Sequence, residues 1–445
     1  MTYTQTTFTR AIADVAARLS DPLFVRWSSA EIGIYVTEAL RTWNALTGSF
    51  HDQGTFNTAV SQPFYDLSRE LPALLGYHVT DQDLITEIEY HLLEPPTPTV
   101  WTGTDQFALQ DVVSALQRRR DQFLLETGMV LTRATYPIAP PPDGRIQLDQ
   151  AIVTVRRVAW RNTDSVVTPL NREDVWNFTH FAPRWIQTPG RQPVVPSGYS
   201  VGETPPLVLQ IAPPPSDTGV LDLVSVVRGA TLGGPVPVLM GIPDDMTWIC
   251  KWGALADLLN KDGLAMDAER ARYCEERWKQ GIQMAKTASS VWAGRIQNQV
   301  AEILSLTEAD DFSPGWQTGV GTPQTVLMAG RNLVALTPVP DMPGVDLNYS
   351  VTLDVVRNAP IPLTPTDFLQ VGPELLDAIY GYAVSLALTK EGLSGITDSQ
   401  GLVEQFFRMA GVDVGILTAQ TPNRGPLTDQ TKREESHTER MVEVS

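Results

Sequence analysis

Ser200 lies in the one stretch of the chain that matches a catalytic motif by letter. Gly198-Tyr199-Ser200-Val201-Gly202 fits the Gly-x-Ser-x-Gly elbow of serine hydrolases, in which the serine occupies a tight turn between a strand and a helix. Prolines precede the motif, and Thr204-Pro205-Pro206 stands where the helix should begin. The triad histidine of these hydrolases follows the serine, and the only later histidine here is His437, in a polar tail. The pattern therefore favours a glycine-rich loop between strands, and we predict that the protein is not an enzyme.

Residue patterns that bind metals or nucleotides are also absent from the sequence. The five histidines share no metal-ligand spacing, and Cys250 and Cys274 form no Cys-x-x-Cys pair. No glycine-punctuated calcium loop surrounds the acidic residues Glu308, Asp310 and Asp311, which we interpret as a solvated loop or helix cap. The chain has no Walker or dinucleotide-binding glycine loop. We predict no metal and no cofactor, and we expect both cysteines to be small core residues.

One basic run, Arg118-Arg119-Arg120, could contact phosphate groups. Consecutive residues of a helix point in different directions, so the three side chains cannot form one tight clamp. We interpret the run as part of a solvated or intersubunit face, with DNA or the acidic surface of a partner as the alternative.

Charge and composition narrow the class of protein. The 445 residues carry a formal charge of −18, which argues against a protein whose main task is to grip nucleic acid, since phosphates are neutralised by Lys and Arg. No stretch approaches the roughly 18 apolar residues that span a bilayer, and the polar start does not resemble a signal peptide. Two cysteines make no disulfide framework. We therefore expect a soluble cytoplasmic product without a membrane partner.

Apolar residues recur at the spacing of a helix in four stretches near the N-terminus. Ser28 with Glu31, and Thr80 with Asp83, stand where a helix N-cap and its third residue should be. Glycine or proline follows each of the four stretches. Four amphipathic helices with short breaks predict a helical bundle over residues 1–136.

After Pro137 the chain changes to short β-like runs followed by two helices, and this block occurs twice. Val226-Val227-Arg228-Gly229-Ala230 corresponds to Val355-Val356-Arg357-Asn358-Ala359, at an offset of 129 residues. The same offset relates Lys261 to Lys390. Because several motifs match in order, we predict one β/α module at 137–290 and its internal repeat at 291–418. The predicted fold class is therefore α+β, an N-terminal α-helical bundle followed by two repeated β/α modules.

Residues 419–445 form a polar segment with mixed charges and too few large aliphatic residues for a core. We predict an arm that becomes ordered on a partner; a frayed terminus without contacts is the alternative. The predicted partner-binding residues are Arg424, Lys432, Arg433, Arg440, Met441 and Val442.

Two stretches together resemble the head–tail adaptor proteins of tailed bacteriophages, also called neck or connector proteins. Asp21-Pro22, followed by Val25-Arg26-Trp27-Ser28-Ser29-Ala30-Glu31, is similar to the start of these adaptors, where an acidic residue, a tryptophan and a serine or threonine lead into a helix. Leu209-Gln210-Ile211-Ala212-Pro213-Pro214-Pro215, followed by Ile242-Pro243-Asp244-Asp245, is similar to their strand, triple-proline and helix pattern. The chain departs from the small adaptors in its size and in its duplicated block.

The resemblance implies a structural virion protein of the neck, assembled in the host cytoplasm. It implies a homo-oligomeric, dodecameric ring that docks on the portal protein, contacts tail and neck proteins and forms part of the DNA channel. Double-stranded DNA would pass through the lumen without sequence-specific binding. The acidic balance suits such a conduit, because a channel that held phosphates strongly would retard the genome, and we expect an electronegative lumen.

Two other classes of function stay open. A tail-tip or baseplate structural protein would share the same composition, and a serine hydrolase that uses Ser200 is the enzymatic alternative.

Overall fold

The structure, a computed structural model, describes residues 5–93, 106–138, 145–174, 195–202, 207–215, 217–263, 265–288, 290–341 and 349–412. Helices and strands both form a large part of it, which confirms the α+β class. The helices are α1 (Phe8–Arg18), α2 (Ser29–Thr47), α3 (Leu67–Glu70), α4 (Pro72–Leu75), α5 (Asp81–His91), α6 (Leu109–Thr127), α7 (Thr247–Leu259), α8 (Ala268–Thr287), α9 (Leu306–Phe312), α10 (Pro373–Leu388) and α11 (Leu393–Met409). Two short 3₁₀ turns, Asp244–Met246 and Thr389–Glu391, adjoin α7 and α10.

The strands are short except for two long ones in the middle of the chain. They are β1 (His51–Asn57), β2 (Phe64–Asp66), β3 (Thr132–Ile138), β4 (Arg145–Gln147), β5 (Ile152–Asn162), β6 (Val167–Pro169), β7 (Asn171–Arg172), β8 (Gly198–Val201), β9 (Val208–Ala212), β10 (Gly219–Val227), β11 (Val291–Ile296), β12 (Gln299–Ser305), β13 (Val320–Gly321), β14 (Thr325–Ala329), β15 (Leu333–Thr337), β16 (Val339–Pro340) and β17 (Ser350–Val356).

Local features begin α2 and end both α2 and α6. The side chain of Ser28 caps α2 by accepting a hydrogen bond from the backbone N–H of Glu31 at 3.2 Å. Gly48 ends α2 and Gly128 ends α6. Their φ angles of 58° and 57° lie in the left-handed region, where a residue with a side chain would be strained. Both helices contain 19 residues.

The strands form one large sheet and two smaller ones. Seven strands are arranged in the order β1-β17-β11-β12-β14-β15-β2, and the two four-stranded sheets have the orders β3-β10-β5-β6 and β4-β9-β8-β7. The strand β12 pairs antiparallel with β11 through its first half and parallel with β14 through its second half, so it joins the large sheet. In the two smaller sheets, two separate strands make the corresponding pairings. The strand β6 pairs antiparallel with β5, the strand β7 pairs parallel with β8, and Leu170 lies between β6 and β7.

The elements fall into two sets that follow the same order. The inner set comprises α5, α6, β3, β4, β5, β6 with β7, β8, β9, β10, α7 and α8. The outer set comprises α1, α2, β1, β2, β11, β12, β14, β15, β17, α10 and α11. The inner set lies in the chain between β2 and β11, so the two sets are nested rather than consecutive.

Matching contacts occur in the two sets. In the inner set the segment before α7 pairs with the start of α5, where the N–H of Met240 donates to the carbonyl of Val79 at 2.9 Å. In the outer set the segment before α10 pairs with the start of α1, where the N–H of Leu369 donates to the carbonyl of Thr6 at 2.9 Å. Each pairing includes an isolated antiparallel bridge.

A second matching contact is an ion pair near the start of α6 in the inner set and of α2 in the outer set. Lys261 lies 2.7 Å from Asp111 in the inner set, and Lys390 lies 2.5 Å from Glu31 in the outer set. Asp111 and Glu31 are both the third residue of a 19-residue helix, so the residues of α6 and α2 correspond position by position.

The N-terminal region differs from the predicted all-helical bundle. The strand β1 pairs with β17, and β2 pairs with β15, so residues before 136 complete the sheet of a segment more than 260 residues away. His51–Asn57 shows no clear apolar alternation, because only Gly54 and Phe56 are buried in it. The helices α1 and α2 pack on α10, whereas α5 and α6 pack on α7. The division of the chain at residues 136, 290 and 418 stays a prediction.

We expect the two equivalent ion pairs to differ in strength. The variant Lys390→Met should lose about 3–5 kcal/mol of unfolding free energy, because it leaves the carboxylate of Glu31, whose side chain is 3% exposed, without its cation. Lys261→Met should lose at most about 1 kcal/mol, because Lys261 and Asp111 are both well exposed. Urea denaturation of both variants measures the difference, and equal losses would contradict the expectation.

Candidate functional site

The structure places the serine motif inside a strand. Residues 198–201 form β8, where Ser200 pairs with Gln210 of β9 and is buried. The tight strand-to-helix turn that exposes a nucleophile is therefore missing at this serine. His437 lies outside the described residues. The hydrolase alternative thus loses its geometric support.

The other chemically reactive candidates are held in structural roles. Cys250 and Cys274 are free and buried, and burial raises the pKa of each thiol to about 12. Glu308 completes a capping box with Ser305, and Asp310 accepts hydrogen bonds from Arg157. Across the described ranges, no group of three or more His, Cys, Asp or Glu residues could hold a metal ion.

The three consecutive arginines of α6 point in two directions. Arg118 and Arg119 both donate to the carboxylate of Asp257 on α7. Arg120 is fully buried and donates to the carbonyl of Ala230 at 2.7 Å. The run therefore forms no single clamp, as its helical spacing predicts. Its interpretation as a solvated or intersubunit face is wrong for Arg119 and Arg120, which pack against their partners and are largely or fully buried, and only Arg118 is exposed.

A buried polar junction connects the two sets of elements. The helix α2 of the outer set packs against the Asp244–Met246 turn, α5 and α8 of the inner set. Lys251 of α7 is fully buried, and its ammonium group contacts Glu38 of α2 and lies 3.2 Å from Glu87 of α5. Glu38 also accepts a hydrogen bond from the indole of Trp252 at 2.8 Å. These contacts join three helices around one charge.

The charges of this cluster depend on one another. Burial alone would lower the pKa of Lys251, but the carboxylates of Glu38 and Glu87 outweigh it and raise that pKa. Burial raises the pKa of Glu87, and Lys251 acts in the opposite direction. Because an unpaired buried charge is costly, the lysine and the carboxylates hold each other in place.

Asp245 ties the same junction to the far end of α2. Its carboxylate accepts hydrogen bonds from the side-chain amide of Asn44 at 2.6 Å and from the backbone N–H of Ala359 at 3.0 Å. Asn44 in turn accepts from the N–H of Phe50 at 3.0 Å, just beyond the C-cap of α2. Burial raises the pKa of Asp245 to about 6.

His91 fills the apolar side of the junction. Its ring lies between Tyr35 of α2 and Trp252 of α7, with centroids 5.3 Å and 5.0 Å away. Burial, and then the charge of Lys251, hold the pKa of His91 well below its usual value, so the ring is neutral. The junction thus combines paired charges with aromatic packing.

Sequence reasoning missed this junction. The signal was present in α7, where Lys251 lies among the apolar residues of the first two turns, and in α2, where Glu38 lies beside an apolar stripe. The predicted partner-binding residues Arg424, Lys432, Arg433, Arg440, Met441 and Val442 all lie outside the described residues. None of the helices that the structure describes is long and apolar enough to cross a membrane.

Comparison with known families gives one match. Residues 79–299 match the family described as SU10 adaptor protein, which supports a structural phage adaptor and agrees with the resemblance seen in the sequence. The matched range contains every element of the inner set and ends after β11. No curated protein gives a significant match to the chain.

Removing the buried cation should destabilise the protein strongly. Lys251→Met leaves Glu38 and Glu87 buried without a counter-charge, so we expect a loss of about 3–5 kcal/mol in unfolding free energy. The triple variant Lys251→Met/Glu38→Gln/Glu87→Gln should recover a large part of that loss. Lys279→Met, at an exposed lysine of α8, is the control, and urea denaturation measures all three. A loss below 1 kcal/mol for Lys251→Met would refute the role of the pair.

The raised pKa of Asp245 predicts a pH dependence of stability. The unfolded chain ionises this carboxyl near its usual pKa of about 4, whereas the folded protein does so near 6, so its contribution to stability falls between these values. The unfolding free energy of the native protein minus that of Asp245→Asn should therefore fall by about 2 kcal/mol from pH 4 to pH 7. Asp367→Asn should change in the opposite direction, because hydrogen bonds from Thr364 lower the pKa of Asp367. A flat difference for Asp245→Asn would contradict the prediction.

Proposed function

We propose that this protein is a head-to-tail adaptor of a tailed-phage virion, which forms a ring on the portal and surrounds part of the DNA channel. The observation that carries the proposal is the match of residues 79–299 to a phage adaptor family, because that range covers one complete set of elements rather than a fragment of a fold. Its place is the neck between head and tail, after assembly in the host cytoplasm. A dodecameric ring remains the proposed symmetry.

The way the chain uses its charged residues supports a structural role. Buried carboxylates and cations pair with each other at the junction and at the Arg157–Asp310 contact. The formal charge of −18 leaves an excess of carboxylates, which suits an electronegative lumen through which DNA passes without being held. Screening by salt would limit this repulsion to about 8–10 Å.

The rival structural proposal is a protein of the tail tip or baseplate. Negative-stain imaging of the purified protein, alone and mixed with portal rings, separates the two. A ring with a central hole that stacks on the portal supports the adaptor. Antibody labelling of virions at the distal end of the tail would overturn it in favour of the rival. Hydrolysis abolished by Ser200→Ala would overturn both.

The C-terminal arm supplies a further test of portal docking. Deletion of residues 420–445 should leave the melting profile unchanged, because this segment has too little apolar surface for a core of its own. The truncated protein should fail to join filled heads stably, since the arm would become ordered on the portal at a cost of about 1–2 kcal/mol per residue that the interface offsets. The measurement is co-sedimentation with filled heads and the yield of infectious particles. A normal yield would show that the arm is not needed for docking.

A further inference from the structure

We propose that copies of this chain join head to tail, with the exposed face of α6 in one chain packed on the face formed by α1 and α10 in the next. The inference rests on the proposed ring and names its contact surfaces. The contact would repeat, between chains, the junction that α2 makes with α5 and α7 inside each chain.

The correspondence between the two sets locates both surfaces. Since Asp111 of α6 matches Glu31 of α2, Arg118 stands where Glu38 stands at the junction. The matching backbone bridges relate α1 to α5 and α10 to α7, so Asp14 and Tyr380 stand where Glu87 and Lys251 stand. Burial, and then the charge of Asp14, raise the pKa of Tyr380 to about 12, which agrees with this placement beside one another.

The internal junction is one-sided. The helix α2 of the outer set packs on the inner set, but the equivalent helix α6 makes its side-chain hydrogen bonds and ion pairs within its own set, as far as the described residues show. A two-fold contact would bury both equivalent helices alike. A one-sided contact leaves the α6 face and the α1/α10 face free on every chain. Chains that join through two such different surfaces form a ring when the rotation between neighbours returns to the first chain.

The accessibility of the two surfaces agrees with this. Glu38 is 2% exposed in the junction, whereas the Arg118 side chain at the equivalent position is 63% exposed. Leu125, on the same face of α6, is an exposed apolar residue. On the other surface, Asp14 is partly exposed and pairs with Arg10 at 2.9 Å, and the well-exposed Asp377 of α10 pairs with Arg18 at 2.7 Å.

The charges of the two surfaces are paired within each chain, Arg118 with Asp257 and Asp14 with Arg10, so the contact between chains would exchange their partners. The junction brings Glu38 to Lys251, and the contact between chains would bring Arg118 to Asp14 of the next chain, with Tyr380 in the position of the lysine. Asp121, at the position of Arg41, already pairs with Arg120 at 2.9 Å, so it adds little repulsion. Because the one-sided junction leaves a matching pair of surfaces on every chain, the occupant of the α6 face is a second copy of this chain.

Exchange of the two charges tests the contact. Arg118→Glu and Asp14→Arg should each weaken self-association at least tenfold, as measured by analytical ultracentrifugation of the full chain, and the double variant should restore it. Arg118→Gln, which removes the charge without reversing it, should weaken association less. Loss without recovery in the double variant, or no loss in either single variant, would overturn the proposal.

Cross-linking tests the same contact in assembled particles. Virions that carry Arg118→Cys together with Asp14→Cys, treated with a short bismaleimide, should yield a ladder of cross-linked chains. The pair Asp14→Cys with Glu276→Cys, at an exposed residue of α8, should yield none, and the two native cysteines are buried. Absence of the ladder, or links from Arg118→Cys to a different virion protein, would overturn the proposal. A ladder from particles labelled at the distal tail would uphold this contact while refuting the neck location.

Discussion

The burial of one positive charge constrains the architecture of this protein. Lys251 is fully buried, so its ammonium group is tolerable only beside Glu38 and Glu87, which belong to two other helices. Glu87 belongs to the same set as Lys251 and Glu38 to the other, so both carboxylates pair with the charge only when the two sets are folded and packed together. The helical core also spans the two sets, because one continuous apolar cluster includes helices of both.

Nesting explains how one chain can hold two similar units without a linker domain between them. The inner set lies in the connection between β2 and β11. The corresponding connection within the inner set is the short loop from β4 to β5. Each set keeps its own sheet core, while the helices share theirs. The break at Leu170 separates the inner strands into two sheets, and the uninterrupted β12 keeps the outer strands in one. The family match covers the whole inner set and β11, which fits an inner set with its own complete order of strands.

Local features of the fold could be predicted from the sequence, and distant ones could not. The capped helices α2 and α5 were predictable because their signals lie within a few residues, at Ser28 and Thr80. The strand β1 was not, because its few buried residues make no pattern until β17 supplies the partner. Lys251 stood out in an apolar helix, yet Glu38 is 213 positions away, and nothing short of the fold brings the two together. A repeat offset relates similar motifs but does not reveal that one set of elements lies within the other along the chain.

The covalent link between the two sets changes the thermodynamics of assembly. Two separate molecules that dock lose several kcal/mol of translational and rotational freedom, whereas units joined in one chain meet at a high effective concentration. The contact of α2 with the inner set is therefore formed during folding and is independent of protein concentration. In a ring of such chains, the junctions inside the chains alternate with the contacts between chains. Only the contacts between chains would form by collision, so the protein concentration at which rings appear would depend on half of the interfaces in the ring.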